Sequence, residues 1–242
     1  MNNFARITIV CGLWFMICGF SLKDAQRDYL AGNYEEAIAK ARRLRENDEA
    51  LYFLGLAYLK NTDYEQAKSH LDKLIQKFPK SSFYDSALFK LADICFLEKD
   101  YEKARKLYQQ LEAGYPKLAN KPLLYLRLAQ VSGRQGDWET KNKYIRLMKE
   151  KYPSGPEMKF VQILEGYGDF FTVQAGAFTE RKNALSLSEE LIAKGYDSSI
   201  VEDAQEAYLL YKVRIGRYKS RYEAKKIADQ LLDSGYPAQI YP

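Results

Sequence analysis

GNYEEA (32–37), NTDYEQA (61–67), KDYEKA (99–104) and GDWETK (136–141) are four versions of one phrase, and their spacing decides how the first two-thirds of the chain folds. The aromatics Tyr34, Tyr64, Tyr101 and Trp138 lie 30, 37 and 37 residues apart. A repeat near this length is one supersecondary unit that cannot bury its apolar face alone and must stack on its neighbours. The second unit is the sharpest: Leu51, Leu54, Gly55 and Tyr58 share a helical face, Tyr64 follows the turn, and Ala67, Leu71 and Leu74 lead to Pro79. The third runs through Leu88, Leu91, Ala92, Cys95, Tyr101, Ala104, Tyr108 and Leu111 to Pro116. The fourth runs through Tyr125, Leu128, Ala129, Ser132, Gly136, Trp138, Ile145 and Met148 to Pro153. It carries Lys141 where the others have alanine, which predicts less regular packing. The first, Gly32 to Leu44, is truncated and has no closing proline. Small residues let paired helices approach, and each proline stops a second helix because its ring lacks an N–H. Tyr58, Tyr64, Tyr101 and Trp138 are read as hairpin core, Cys95 as a packing residue and His70 as solvent-facing.

This pattern, over residues 22–165, resembles the tetratricopeptide repeat (TPR) family, with about four repeats. The resemblance implies a concave face that binds a protein or peptide. The closures FPKSS (78–82) and YPSGP (152–156) are similar to those in arrays of bacterial envelope proteins such as outer-membrane assembly factors.

Beyond Pro156 the period changes. Shifting the chain by 40 residues aligns Val173 with Val213, Gly176 with Gly216, Arg181 with Arg221, Leu191 with Leu231 and Gly195-Tyr196 with Gly235-Tyr236. Each half reads strand, glycine turn, helix, Gly-Tyr stop, strand. Two halves make βαββαβ, with two helices on one face of a four-stranded antiparallel sheet. Phe171, Val173 and Ala175, with Tyr211, Val213 and Ile215, are expected to face the helices. Thr172, Gln174 and Gly176, with Leu210, Lys212 and Arg214, are expected on the open face.

TVQAGAF, GYDSSIV, YKVRIGRYKS and GYPAQIY resemble a SPOR domain, the peptidoglycan-binding module of bacterial division and cell-wall proteins, over residues 168–242. The expected fold class is therefore α followed by α+β: a TPR helical-hairpin array, then a βαββαβ ferredoxin/RNP-like SPOR sandwich. The resemblance implies binding to glycan strands stripped of stem peptides, which are enriched where the septum is remodelled. The candidate glycan-binding residues are Thr172, Gln174, Leu210, Lys212 and Arg214. Hydroxyl, amide and cationic groups suit sugar hydroxyls and N-acetyl carbonyls. Family members often place an aromatic on the open face of the third strand; Leu210 stands there, and Tyr208 lies one alternation step away. Residues 212–226 hold seven Lys/Arg and one Glu, a basic edge that would favour a lactyl carboxylate.

The N-terminus reads as a targeting segment. Ile7 to Phe20 is an uncharged apolar run of 14 residues, shorter than the roughly 20 that a membrane span needs. Gly19-Phe20-Ser21 suits cleavage after Ser21, giving a signal peptide at 1–21 and a periplasmic protein. The alternatives are a retained anchor, which alone would make the membrane a partner, and a lipoprotein through Cys18. After cleavage only Cys95 of the three cysteines remains, so no internal disulfide can form.

Composition limits the function classes. With 37 Lys+Arg and 32 Asp+Glu the chain is only mildly basic, and a nucleic-acid partner is not expected. RNA-recognition domains share the topology but stack bases on central-strand aromatics, where this chain has Thr172, Gln174, Lys212 and Arg214. One histidine and three cysteines leave no metal-ligand spacing, no nucleophile–base pair and no implied cofactor. The expectation is a non-catalytic envelope protein that binds denuded glycan and recruits a protein partner through its array. The alternative is an assembly or secretion scaffold with the SPOR-like part as a wall tether.

Overall fold

The computed structural model describes residues 21–115, 118, 120–204 and 209–242. Residues 1–20 of the expected leader, with Cys11 and Cys18, and Pro116 and Tyr208 lie outside the described residues, whereas Ser21 caps α1. Four antiparallel helix pairs come first: α1 (Leu22–Leu30) with α2 (Tyr34–Ala41), α3 (Asp48–Lys60) with α4 (Tyr64–Lys77), α5 (Tyr84–Leu97) with α6 (Tyr101–Gly114), and α7 (Lys121–Gln135) with α8 (Trp138–Lys151). A further helix, α9 (Met158–Gly166), precedes the strands β1 (Phe171–Phe178), β2 (Ser198–Ala204), β3 (Leu209–Tyr218) and β4 (Gln239–Tyr241), with α10 (Arg181–Ala193) and α11 (Arg221–Asp233) between them.

The four turns inside the pairs share one geometry. Gly32, Thr62, Lys99 and Gly136 all have positive φ, two residues before the aromatic. Asp63, Asp100 and Asp137 then cap the second helices, each carboxylate accepting from a backbone N–H three residues on at 3.1 Å. Close approach explains the small residues: a Cβ on Gly55 would lie 2.6 Å from the Leu71 side chain. Ala67, Ala92, Ala104 and Ala129 are fully buried.

The chain divides into two compact units, one ending at Ala87 and one spanning Leu88–Pro242. This division falls inside α5 rather than at the change of period near residues 165–168. In the second unit the fourth pair packs against the start of β1. The Trp138 ring meets Phe171 at the start of β1, with centroids 5.0 Å apart. Gly136, at φ +79°, leaves room for that ring, since a Cβ there would lie 3.0 Å from Phe171. Trp138, partly buried, therefore packs against the core of the C-terminal domain instead of serving the hairpin alone. Lys141 replaces the repeat's alanine for a reason: it is 2% exposed, and its ammonium donates to Gly168 O at 2.7 Å and pairs with Asp169 at 2.6 Å.

The sheet order is β2-β3-β1-β4, antiparallel at every pairing, with β1 and β3 central. Phe171, Val173, Ala175, Val213 and Ile215 pack under α10 and α11 on Ala184, Leu191, Ala224 and Leu231, as the alternation predicted. Gly195 and Gly235 end the two helices at φ +89° and +85°. One assignment is corrected. A bulge at Ala175 shifts the register, so Gly176 pairs with Val213, and its missing Cβ would point at Leu187 of α10. Gly176 thus faces the helices, and Ala177 takes its place opposite Lys212.

Candidate functional site

The open face of the sheet collects the five residues picked from sequence. Register places Gln174 opposite Arg214 across the central strands, and Thr172 opposite Tyr241 and Gln174 opposite Gln239 across β1 and β4. Val201 of β2 pairs with Lys212, and Asp203 with Leu210. All five candidates lie on one face, but they are not equally open. Thr172 is 4% exposed and Arg214 7%, while Gln174, Leu210 and Lys212 are half-buried.

Two aromatics missed in the sequence reading account for this. The Arg214 guanidinium carbon lies 5.2 Å from the ring centroids of both Tyr167 and Tyr241, and those rings are 6.3 Å apart. Tyr167 follows α9, and Tyr241 is the last residue of β4. Alternation in QIY already put Tyr241 on the face of Gln239, so Tyr241 was legible in principle. Tyr167 was not, because it reaches the sheet from outside the duplicated unit. Lys212 pairs with Asp203 and lies 6.0 Å from the Tyr241 ring. The remaining polar atoms are poorly satisfied: Thr172 Oγ1, Gln174 Oε1 and Arg214 Nε are buried without a hydrogen-bond partner. A buried polar atom left unpaired costs on the order of 1–3 kcal/mol, which a ligand can return. The basic edge expected over 212–226 is divided. Lys212 and Arg214 belong to the open face, whereas Arg221 and Lys225 belong to α11 on the other side.

Residues 167–242, the whole four-stranded unit with Tyr167 included, match the SPOR domain family. This part of the chain is a SPOR domain. Residues 24–82 and 52–119 match the tetratricopeptide repeat family, so the hairpins from α1 to α6 are TPR repeats and the fourth pair continues the array beyond the match. A SPOR domain beside TPR repeats supports a role in peptidoglycan binding and protein interaction. Both are binding modules.

No curated protein matches the sequence. Among solved structures, the chain is similar to PilF of Pseudomonas aeruginosa, with 21% identity over 58% of this chain and 64% of that one, at TM-score 0.47. The chain thus spans just under two-thirds of that relative. The peptidoglycan-binding domain of the B. subtilis cell wall lytic enzyme CwlC is 35% identical over 30% of this chain and 86% of its own, at TM-score 0.26. The N-terminal domain of stress-induced protein-1 from C. elegans is 23% identical over 49% of this chain and 94% of its own, at TM-score 0.41.

A second candidate surface lies among the first helices of successive TPR pairs in the same unit. A groove of about 190 Å³ is lined by Phe96 of α5, Arg127 and Arg134 of α7, Phe160 and Ile163 of α9, and Tyr167. Phe160 and Ile163 are 44% and 51% exposed. Arg127 is held by Asp93, which accepts from its Nε at 3.1 Å and from the Tyr108 hydroxyl at 2.7 Å. Among the described residues no three His, Cys, Asp or Glu side chains are placed to hold a metal, and no helix is long and apolar enough to cross a membrane.

Proposed function

We propose that this protein is a non-catalytic, peptidoglycan-binding protein of the bacterial envelope, whose SPOR domain binds denuded glycan strands at septal or remodelled wall while its TPR repeats recruit a protein partner. The observation that carries the glycan reading is the set of unpaired polar atoms of Thr172, Gln174 and Arg214 beside two tyrosine rings on one face of a SPOR sheet. Sugars offer hydroxyls and carbonyls for such atoms and apolar ring faces for the tyrosines. Leu210 and Lys212 extend the same surface. The groove among α5, α7 and α9 supports partner recruitment, because it exposes Phe160 and Ile163 next to two arginines. Export to the periplasm with cleavage after Ser21 belongs to the same reading.

Sedimentation of the purified protein with sacculi, with and without amidase pretreatment, tests it. Binding should rise after amidase removes the stem peptides. Gln174→Ala should weaken binding by roughly 0.5–1.5 kcal/mol and leave the melting temperature nearly unchanged. Arg214→Ala should weaken binding and also lower the melting temperature, because its guanidinium packs against both Tyr167 and Tyr241. Wild-type binding by both variants would remove the open face as the glycan site. A mature protein that retains Met1 or carries lipid on Cys18 would overturn the export step. Deleting the SPOR domain separates the two roles: loss of septal localisation supports it as the localising part, whereas unchanged localisation favours the scaffold reading.

A further inference from the structure

A cleft of about 390 Å³ opens among the α5–α6 turn, the end of α7, α11 and β4. Its lining is strongly cationic: Lys99 from the α5–α6 turn, Arg134 near the end of α7, and Arg221 and Lys225 of α11, with Asp229 the one carboxylate. Asp229 is taken by Lys225, with both of its oxygens within 2.8 Å of the ammonium. Among the described residues no carboxylate pairs with Lys99, Arg134 or Arg221. Arg221 Nη1 is buried without an acceptor, while its guanidinium carbon lies 5.9 Å from the Tyr101 ring.

The position of Arg221 is unfavourable for stability alone. It is the first residue of α11, where the helix dipole presents its positive end. The nearby Glu223 does not relieve it, because that carboxylate is engaged by the Ser220 and Lys219 backbone N–H groups in the helix cap. Three uncompensated cations, a buried orphan donor and a helix N-terminus converge on one cleft. We propose that this cleft binds a phosphate-type dianion. A single carboxylate carries too little charge for three cations. A phosphate offers up to two charges and several acceptor oxygens in the geometry that guanidinium forks match. The cleft reaches Ala238 and, in β4, Gln239 and Ile240, but none of its cations is a candidate glycan-binding residue, so the proposal does not depend on the glycan reading.

Isothermal titration of the full chain at constant ionic strength tests the proposal with inorganic phosphate, glycerol 3-phosphate and succinate. Saturable binding of phosphate, with succinate clearly weaker, is expected. Tighter binding of glycerol 3-phosphate than of inorganic phosphate would assign the site to a phosphomonoester on a larger molecule, and the reverse to the free ion. Arg221→Gln and Lys99→Gln should each weaken phosphate binding about tenfold or more, with unchanged circular dichroism and unchanged sedimentation with sacculi. Absence of saturable heat, equal binding of succinate, or wild-type affinity in both variants would overturn it.

Discussion

Lys141 shows how one residue can break a repeat's rule and join two modules. At the small position of the fourth helix pair it sends a buried ammonium to Gly168 O and Asp169, immediately before β1. The pair is asymmetric, because Lys141 is buried while Asp169 is 50% exposed. Removing the acid strands a buried charge, whereas replacing the lysine with an apolar chain of similar length does not. Asp169→Ala should therefore lower stability by about 1–3 kcal/mol, and Lys141→Met by less, in denaturant unfolding of the full chain. The pH dependence follows from the same contact. Burial alone would raise the Asp169 pKa, but hydrogen bonds from Lys141 and Asn142 outweigh it and hold the carboxyl below its ordinary value of 3.8. A depressed folded pKa contributes stability that is present above the unfolded value and lost as pH falls through the folded one. Melting curves of wild type and Asp169→Asn should accordingly converge below pH 3.8.

The hairpin turn is the element that repeats most faithfully, and the sequence satisfies it unevenly. Gly32 and Gly136 take the left-handed position without strain, but Thr62, at φ +61°, carries a β-branched side chain there. Such a residue is disfavoured by roughly 1–2 kcal/mol. Thr62→Gly should raise the thermal stability of the first unit by about 1 kcal/mol, less than the full strain because glycine also loosens the unfolded chain. Between α2 and α3, Glu46 holds α4 through ion pairs to Lys73 and Lys77. Hydrogen bonds from those lysines lower its pKa from 4.5 to about 2. Its contribution is present above pH 4.5 and lost as pH falls towards 2, so Glu46→Gln should flatten the acid limb of the first unit's melting profile over that interval.

At the scale of the molecule, the sequence pattern and the compact units divide the chain differently. The TPR match ends at residue 119 and the SPOR match begins at 167, yet Trp138 and Lys141 of the fourth helix pair pack against the start of the SPOR domain. Trp138→Ala should destabilise the SPOR domain as well as its own hairpin, by about 3–5 kcal/mol if the cavity does not collapse. Hydrogen exchange should show this as lost protection in β1 together with α8; loss confined to α8 would break the coupling. Sequence by itself determined the helical pairs, the βαββαβ order and the face on which each central-strand residue stands. Those features rest on periodicities of 3.6 and 2 that local chain geometry imposes. Its parity failed at Gly176, where a bulge inserts one unpaired residue, and a second register shift lies between Phe171 and Val173. Tertiary structure alone decided that Arg214 is covered by Tyr167 and Tyr241, that Lys141 meets Asp169, and that Lys99, Arg134 and Arg221 share one cleft. Each of these joins residues at least 27 positions apart, and no local pattern encodes how one packed element is oriented on another.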